Sequence, residues 1–260
     1  APALGGALFA WQGLGPVVLL DSASFLFSAF MLGLIALPRA VTSPVPPQVK
    51  TPVLNFWDEW LAGLRVVARD RRLSSLFTIW GICMVSEGVI EVLLVPFVKT
   101  GLRGDAVVLG WLMTAQAAGQ LLGGSAVGWL GQRVSHARWI VFGMLGWGLI
   151  DLGIFNILSV PLALALIVLG GALLIGFWVS VNVMLQEDVA DEFRGRVFGA
   201  FGTTTALMTL VGMGASSVLG DRMGIIPVLN LACALLVAAG LVSWFRAPLS
   251  SPRIQPVGQA

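Results

Sequence analysis

Residues 74–97 read SSLFTIWGICMVSEGVIEVLLVPF, and within them only Glu87 and Glu91 carry an acidic or basic side chain. About 20 predominantly apolar residues suffice for an α-helix to cross the roughly 30 Å hydrocarbon core of a bilayer. Seven stretches meet this requirement, namely 16–37, 74–97, 107–130, 139–158, 161–183, 197–219 and 226–245. The sequence therefore predicts an all-α membrane protein whose spanning helices pack as a bundle.

The composition agrees with a membrane protein and excludes other classes. Of the 260 residues, 57% are hydrophobic and 11% are charged, whereas a soluble domain carries roughly 25% charged residues. So few charges cannot cover the surface that a soluble protein of this size exposes to water. The formal charge of +2 is small and the basic residues do not gather on one face, so nucleic acid is not an expected partner.

The sequence contains no recognisable machinery for covalent chemistry. Cys83 and Cys233 lie inside apolar stretches, where we interpret them as packing residues and not as a disulfide or a zinc site. The single histidine, His136, falls in a short polar loop; alone it cannot supply a metal site, and we expect no Ser or Cys nucleophile with a base in reach. We therefore expect no enzyme activity, no cofactor and no bound metal.

The longest polar segment lies between the first two predicted spans. Its proline-rich part, residues 42–47, predicts an extended linker. Between Phe56 and Val67, apolar residues recur at helical spacing opposite basic residues, which predicts an amphipathic helix in the membrane interface. Residues 1–13 are apolar but too short for a span, and we interpret them as the end of a helix whose beginning is missing.

The Lys and Arg residues predict the orientation of the helices. If successive spans alternate in direction, twelve of the 15 cations fall on one side of the membrane. That side receives Arg39, Lys50, Arg65, Arg69, Arg71, Arg72, Arg133, Arg138, Arg194, Arg196, Arg246 and Arg253, and the other receives Lys99, Arg103 and Arg222. The positive-inside rule places that side, and with it the C-terminus, in the cytoplasm. We expect a multi-pass protein of the cell membrane, of the bacterial plasma membrane type.

Four carboxyl groups, those of Asp21, Glu87, Glu91 and Asp151, lie within predicted spans, and no Lys or Arg does. A charged carboxylate near the bilayer centre costs about 2.5–3.5 kcal/mol, so each one needs a partner or a function. Glu87 and Glu91 are four positions apart and share a helix face, where two carboxyls could share a proton. Either the pair carries protons during transport, or both groups stay protonated and bond to neighbouring helices.

Neutral polar and small residues recur at spacings that suit helix packing. Gln116 and Gln120 share a helix face, as do Asn182 and Gln186, and four threonines cluster within residues 203–209. Such groups are typical of hydrogen bonds between membrane helices, and they could also line a polar path. The glycines within residues 119–128 form small-xxx-small repeats, which predict a close approach of two helices, either as static packing or as a sliding surface.

Several motifs, in chain order, are similar to those of a known transporter family. Residues 2–6, PALGG, resemble the end of an antiporter signature in a fifth helix, and residues 20–26, LDSASFL, resemble a sixth helix. The other motifs are Glu59, Gly63, Leu64 and Arg65 before the seventh helix, Gly128, Arg133 and Arg138 after the eighth, and Gln186, Asp191, Glu192, Arg194, Gly195 and Arg196 between the tenth and eleventh. On these residues the chain resembles the major facilitator superfamily, specifically its proton-driven drug and siderophore exporters. Gln132 departs from the pattern, because the family has an acidic residue there.

The resemblance implies the C-terminal half of a twelve-helix fold together with the preceding helix. Residues 1–37 would then hold the end of the fifth helix and the sixth, and 38–73 a cytoplasmic linker with the amphipathic helix. Residues 74–246 would form the C-terminal six-helix half, and 247–260 a cytoplasmic tail. The implied partners are the lipid bilayer, a small-molecule substrate, protons and the missing N-terminal half.

The resemblance also implies proton-coupled export of a small amphiphilic compound such as a drug or siderophore. It makes Glu87 and Glu91 the proton-coupling candidates, ahead of Asp21 and Asp151, because the family's sixth and ninth helices lie outside the central cavity. The substrate-path candidates are Gln116, Gln120 and Asn182, and the conformational-gate candidates are Arg133, Arg138, Asp191, Arg194 and Arg196. The alternative is a non-transporting membrane scaffold or sensor that retains the fold.

Overall fold

The computed structural model describes residues 13–34, 56–130 and 134–246, and within these ranges all regular secondary structure is helical. The helices are α1 (Leu14–Gly33), α2 (Phe56–Arg69), α3 (Arg71–Thr100), α4 (Ala106–Leu130), α5 (His136–Ile157), α6 (Val160–Asp188), α7 (Asp191–Met223) and α8 (Ile225–Arg246). All of them except α2 are long and apolar enough to cross a membrane. The predicted all-α membrane bundle, with seven spans in that order, is confirmed.

Several helices continue beyond the predicted spans. Helix α6 ends at Asp188 instead of residue 183, and α7 begins at Asp191 instead of residue 197. The reason is that hydropathy detects only the part of a helix inside the hydrocarbon, whereas backbone hydrogen bonding continues into the interface. His136, expected in a loop, is the first residue of α5, and its Nδ1 lies 3.4 Å from the Oγ of Ser180 in α6.

Helix α1 stands apart from the others in its packing. All of its residues are described, and none of them is buried. The predicted span continued to residue 37, but α1 ends at Gly33 and residues 35–37 lie outside the described part of the chain. The predicted partial span before Gly13, the proline-rich linker and the tail at 247–260 also lie outside it.

Helix α2 forms where the amphipathic pattern predicted a helix, and its apolar face packs on the protein itself. Val67 is buried, and Trp60 and Leu64 pack against the hydrophobic core. A methyl group added at Gly63 would lie 2.5 Å from the carbonyl oxygen of Arg196 in α7, so the two backbones touch there. Helix α2 therefore docks on the first turns of α7.

Helix α3 begins at an acidic cap. The Asp70 carboxylate accepts hydrogen bonds from the backbone N–H groups of Arg72 (2.7 Å) and Leu73 (3.2 Å). These two donors would otherwise lack a partner, because the first turn of a helix has no preceding carbonyl groups. The cap separates α2 from α3 and fixes the point at which the chain turns into the membrane.

Two helix crossings have the same construction. In the α3–α7 crossing, Gly88 lies against the backbone of Thr209 and Gly212 lies against that of Val85. In the α4–α6 crossing, Gly171 lies against the backbone of Gln116 and Gly119 lies against that of Val168. In all four places an added methyl group would overlap a main-chain carbonyl oxygen.

These crossings reveal an internal repeat. If α3, α4 and α5 are exchanged with α6, α7 and α8 respectively, the α3–α7 crossing becomes the α6–α4 crossing. In both crossings, the glycine of each helix lies three residues after the residue that the glycine of the other helix contacts. The α3–α8 and α5–α6 contacts exchange in the same way. Such a relation between two sets of three helices is typical of secondary transporters. The predicted close approach through the 119–128 glycines is confirmed at Gly119 and Gly123, whereas Gly128 has no neighbour within 4 Å.

The hydrophobic core of the six long helices α3–α8 forms two clusters along the bundle. One surrounds Trp80 and Phe177, and the other surrounds Phe97 and Phe155. Along α3 the first cluster stops at Met84 and the second starts at Val89. In α3, the buried Ser86 and the half-buried Glu87 lie at this break.

Candidate functional site

A cavity of about 330 Å³ lies between α3, α4, α5 and α6. Three carboxyl side chains line it, those of Glu87, Glu91 and Asp151, together with the amide of Gln116. Its remaining wall is mainly apolar and aromatic, formed by Ile90, Leu94, Phe97, Leu112, Met113, Trp147, Ile154, Phe155 and Ile167 with Gly170 and Gly171. The cavity therefore combines acidic groups with an apolar lining, which suits an amphiphilic ligand.

The two glutamates occupy different depths of this cavity. Glu87 lies next to the glycine crossing and is half-buried, whereas Glu91, one turn further along α3, is exposed. Their shared helix face was predicted from the spacing of four residues, and the structure places that face toward the cavity.

Asp151 belongs to the same site, although sequence reasoning ranked it below the glutamates. Its residue is 8% exposed, and it lines the cavity together with Glu87. Trp147, one turn earlier on α5, lines the same cavity. The low rank rested on the peripheral position of the family's ninth helix, but a peripheral helix still turns one face inward. In the sequence, Trp147 and Asp151 are four residues apart, and this spacing indicates that they share a face of α5.

The electrostatics of the cavity follow from its composition. No Lys or Arg is among the residues that line it in the described ranges. Three carboxyl groups in an apolar enclosure repel each other when ionised, so the site attracts positive charge. They do not form a metal-ligand cluster in the part of the chain that the structure describes.

The predicted substrate-path residues separate into two groups. Gln116 lines the cavity. Gln120 does not, and its backbone N–H packs beside Gly171 in the α4–α6 crossing. Asn182 is also absent from the cavity wall, and its side-chain amide donates to the carbonyl oxygen of Trp178 at 2.9 Å within α6.

The threonines of α7 have a structural contact of their own. The indole N–H of Trp80 donates to the Oγ1 of Thr205 at 2.8 Å, and the indole N–H of Trp60 donates to that of Thr204 at 3.3 Å. Both bonds connect different helices, which agrees with the interpretation of this cluster as interhelical.

The predicted gate residues lie near the ends of the helices. Arg138, Arg194 and Arg196 are exposed, and the Arg194 Nη2 lies 3.5 Å from the carbonyl oxygen of Gln186. Arg133 and the side chain of Asp191 lie outside the described part of the chain.

An ion pair at the same end of the bundle was not predicted from sequence. The Arg72 Nε lies 2.9 Å from the Asp188 Oδ2, which connects the first turn of α3 to the last turn of α6. No pattern in the sequence pairs these residues, because they lie in different helices and meet only after folding.

Comparison with known proteins places this architecture in a family. The family model for the Major Facilitator Superfamily matches residues 76–259. A Bacillus subtilis (strain 168) protein named uncharacterized MFS-type transporter YfiS is 25% identical over 260 residues, covering 93% of this chain and 58% of that protein. Macrolide efflux protein A of Streptococcus pyogenes is 23% identical over 251 residues, covering 93% of this chain and 59% of that protein. The chain thus spans about three fifths of the length of these curated relatives. With seven apolar helices in the described ranges and a family match over most of its length, the chain belongs to the Major Facilitator Superfamily.

Proposed function

We propose that the chain is the C-terminal part of a secondary active transporter that exports a small amphiphilic compound, such as a drug or siderophore, in exchange for protons. The observation that carries this proposal is the meeting of Glu87 and Asp151 in one largely apolar cavity without a cationic side chain among its described lining residues. Similarity to a macrolide efflux protein supports export as the direction.

The division of the chain follows from the same proposal. Residues 74–246 form the C-terminal six-helix half, and their paired helix crossings support this assignment. Residues 1–37 belong to the N-terminal half, 38–73 to the linker and 247–260 to a cytoplasmic tail. The start of α3 and the end of α8 then face the cytoplasm, and the cavity opens in the outer half of the membrane.

Proton binding would be coupled to the orientation of the transporter. A proton shared by Glu87 and Asp151 removes the repulsion between the two carboxylates, whereas its release restores that repulsion. If the two orientations of the protein differ in their affinity for this proton, its binding shifts the population between them. Glu91, which is exposed and lies one turn from Glu87 on α3, would pass the proton between solvent and Glu87.

The test is transport by the full-length protein in proteoliposomes with an imposed proton gradient, using the macrolide erythromycin as the first probe. Glu87→Gln should remove the dependence of transport on the gradient, because the amide cannot release a proton. Glu187→Gln is the matched control, since Glu187 is exposed at the end of α6 and does not line the cavity. Gradient-dependent transport that is unchanged in Glu87→Gln would exclude Glu87 from coupling. If no amphiphilic probe is transported by the wild type, the scaffold or sensor alternative is favoured.

A further inference from the structure

A second concave site lies on the other side of α3, away from the carboxyl cavity. It is an open groove of about 540 Å³ between α3 and α8, lined also by the last residues of α2. Ser75 of the groove and Glu87 of the cavity are about 120° apart around the α3 axis, at 3.6 residues per turn. The two sites therefore belong to different faces of the bundle.

The groove changes character along its length. Arg69 and Arg71 line the polar end of the groove, called its mouth below, near the start of α3 and the end of α8. Its deep end is formed by Ile82 of α3 and Leu235 of α8. Between these ends the wall is formed by small or apolar side chains and by hydroxyl groups, namely Ser74, Ser75, Thr78, Ile79, Ala238, Ala239, Val242 and Ser243.

The length of the groove matches one leaflet. From Ser74 to Ile82 the helix rises about 12 Å at 1.5 Å per residue, compared with about 15 Å for half of a 30 Å hydrocarbon core. A partner helix that crosses the membrane would need an apolar face on both leaflets, whereas this groove ends near the middle. A molecule with a polar head and a chain of one-leaflet length fits it better.

The positive charge at the mouth determines which lipid headgroup the groove can bind. Arg69 and Arg71 are exposed, and within the described ranges no carboxylate forms an ion pair with either of them. Asp70 lies between them in sequence, but its carboxylate caps α3. The hydroxyl protons of Ser75 and Thr78 are donated to carbonyl groups within α3, at 2.8 Å each. The two guanidinium groups are therefore the charged donors available to a ligand, beside the hydroxyl of Ser74, and their planar fork suits a phosphate.

We propose that the groove between α3 and α8 binds one anionic phospholipid, with its phosphate between Arg69 and Arg71 and an acyl chain along Ile79, Ile82 and Leu235. Anionic headgroups attract basic residues at the membrane surface, and the apolar wall removes the chain from the mobile lipid around it. The site is independent of the transport cavity, so it stands whether or not the chain takes part in proton coupling.

The test uses the full-length protein in nanodiscs made of equal amounts of phosphatidylglycerol and phosphatidylcholine with identical acyl chains. Native mass spectrometry counts the lipids that stay bound after extraction into detergent. The wild type should retain one phosphatidylglycerol molecule preferentially. The double variant R69Q/R71Q should lower that preference about thirtyfold, since each of the two basic residues near the surface contributes about 1 kcal/mol. Equal retention of both lipids by the wild type would overturn the proposal.

Control variants separate the groove from general surface charge. R65Q/R138Q removes two other exposed arginines that do not line the groove, and it should retain the preference. Ala238→Phe fills the groove while Arg69 and Arg71 remain, and it should abolish retention. Ala234→Phe is the matched control, because Ala234 is exposed on α8 outside the groove. The same loss in R65Q/R138Q as in R69Q/R71Q would contradict a specific site.

A cross-linking experiment tests the position of the chain. Phosphatidylglycerol with a photoactivatable group in the middle of one acyl chain should label the peptides that contain residues 79–82 and 235–242. Labelling spread over the other exposed helices, or labelling that Ala238→Phe leaves unchanged, would show that no lipid occupies the groove.

Discussion

Gly88 in α3 and Gly171 in α6 make equivalent contacts, each against a main-chain carbonyl oxygen of the helix that crosses it. The adjacent residues, Glu87 and Gly170, both line the carboxyl cavity. At this pair of equivalent positions, one half of the repeat carries a carboxyl group and the other has no side chain. The repeat therefore sets the close helix spacing, and its asymmetry leaves room for the acidic group inside the bundle.

Substitution of Gly88 by alanine should destabilise the protein. The added methyl group overlaps the Thr209 carbonyl oxygen, and we expect the free energy of unfolding to fall by about 1–3 kcal/mol, as for overpacked cores. Gly81→Ala is the control on the same helix, since its methyl group would lie 3.5 Å from the Met208 side chain, an ordinary contact. Unfolding in mixed detergent micelles measures both. Equal stability of the two variants would mean that α3 and α7 are not closely packed.

The ion pair between Arg72 and Asp188 should hold the ends of α3 and α6 together. The Asp188 side chain is 7% exposed and that of Arg72 is 24% exposed, so solvent screens the pair only in part. A double-mutant cycle with Arg72→Gln and Asp188→Asn should give a coupling energy of about 1–3 kcal/mol in unfolding measurements. Glu187→Gln, next to Asp188 but exposed, should show no coupling to Arg72. A coupling energy near zero would assign the pair no role in stability.

The bond from Trp80 to Thr205 should contribute to the core at one end of the bundle. Thr205→Val keeps the shape of the side chain but leaves the indole N–H of the fully buried Trp80 without its acceptor. We expect a loss of about 1–3 kcal/mol in the free energy of unfolding, the usual effect of an unsatisfied buried donor. Thr203→Val is the comparison, since Thr203 belongs to the same cluster but does not accept this bond. Tryptophan fluorescence follows the unfolding of both.

Asp151 should matter for proton coupling in spite of its peripheral helix. In the full-length protein, Asp151→Asn should reduce gradient-driven transport as strongly as Glu87→Gln, because the two carboxyls share one cavity. Asp21→Asn should leave transport unchanged, since Asp21 lies on α1 and does not line the cavity, in a span of comparable hydrophobicity. The measurement is probe uptake into proteoliposomes at a fixed pH difference. If Asp151→Asn transports like the wild type while Glu87→Gln does not, Asp151 has only a packing role.

The number, order and approximate limits of the spanning helices could be predicted from sequence because they depend on local properties. Each stretch of about 20 apolar residues gains its free energy of transfer from its own side chains, and its backbone satisfies its own hydrogen bonds. The same holds for the amphipathic pattern of α2. The face shared by Glu87 and Glu91 also followed from helical geometry alone.

Tertiary structure decided how these helices are rotated and which of them touch. The position of Asp151 in the cavity wall, the absence of Gln120 and Asn182 from that wall and the pairing of Arg72 with Asp188 all depend on contacts between separate helices. In a bilayer, hydropathy distinguishes such rotations poorly, because lipid and protein interior are similarly apolar. Close packing at Gly88, Gly119, Gly171 and Gly212 selects the helix pairs, and the position of the carboxyl groups follows from that selection.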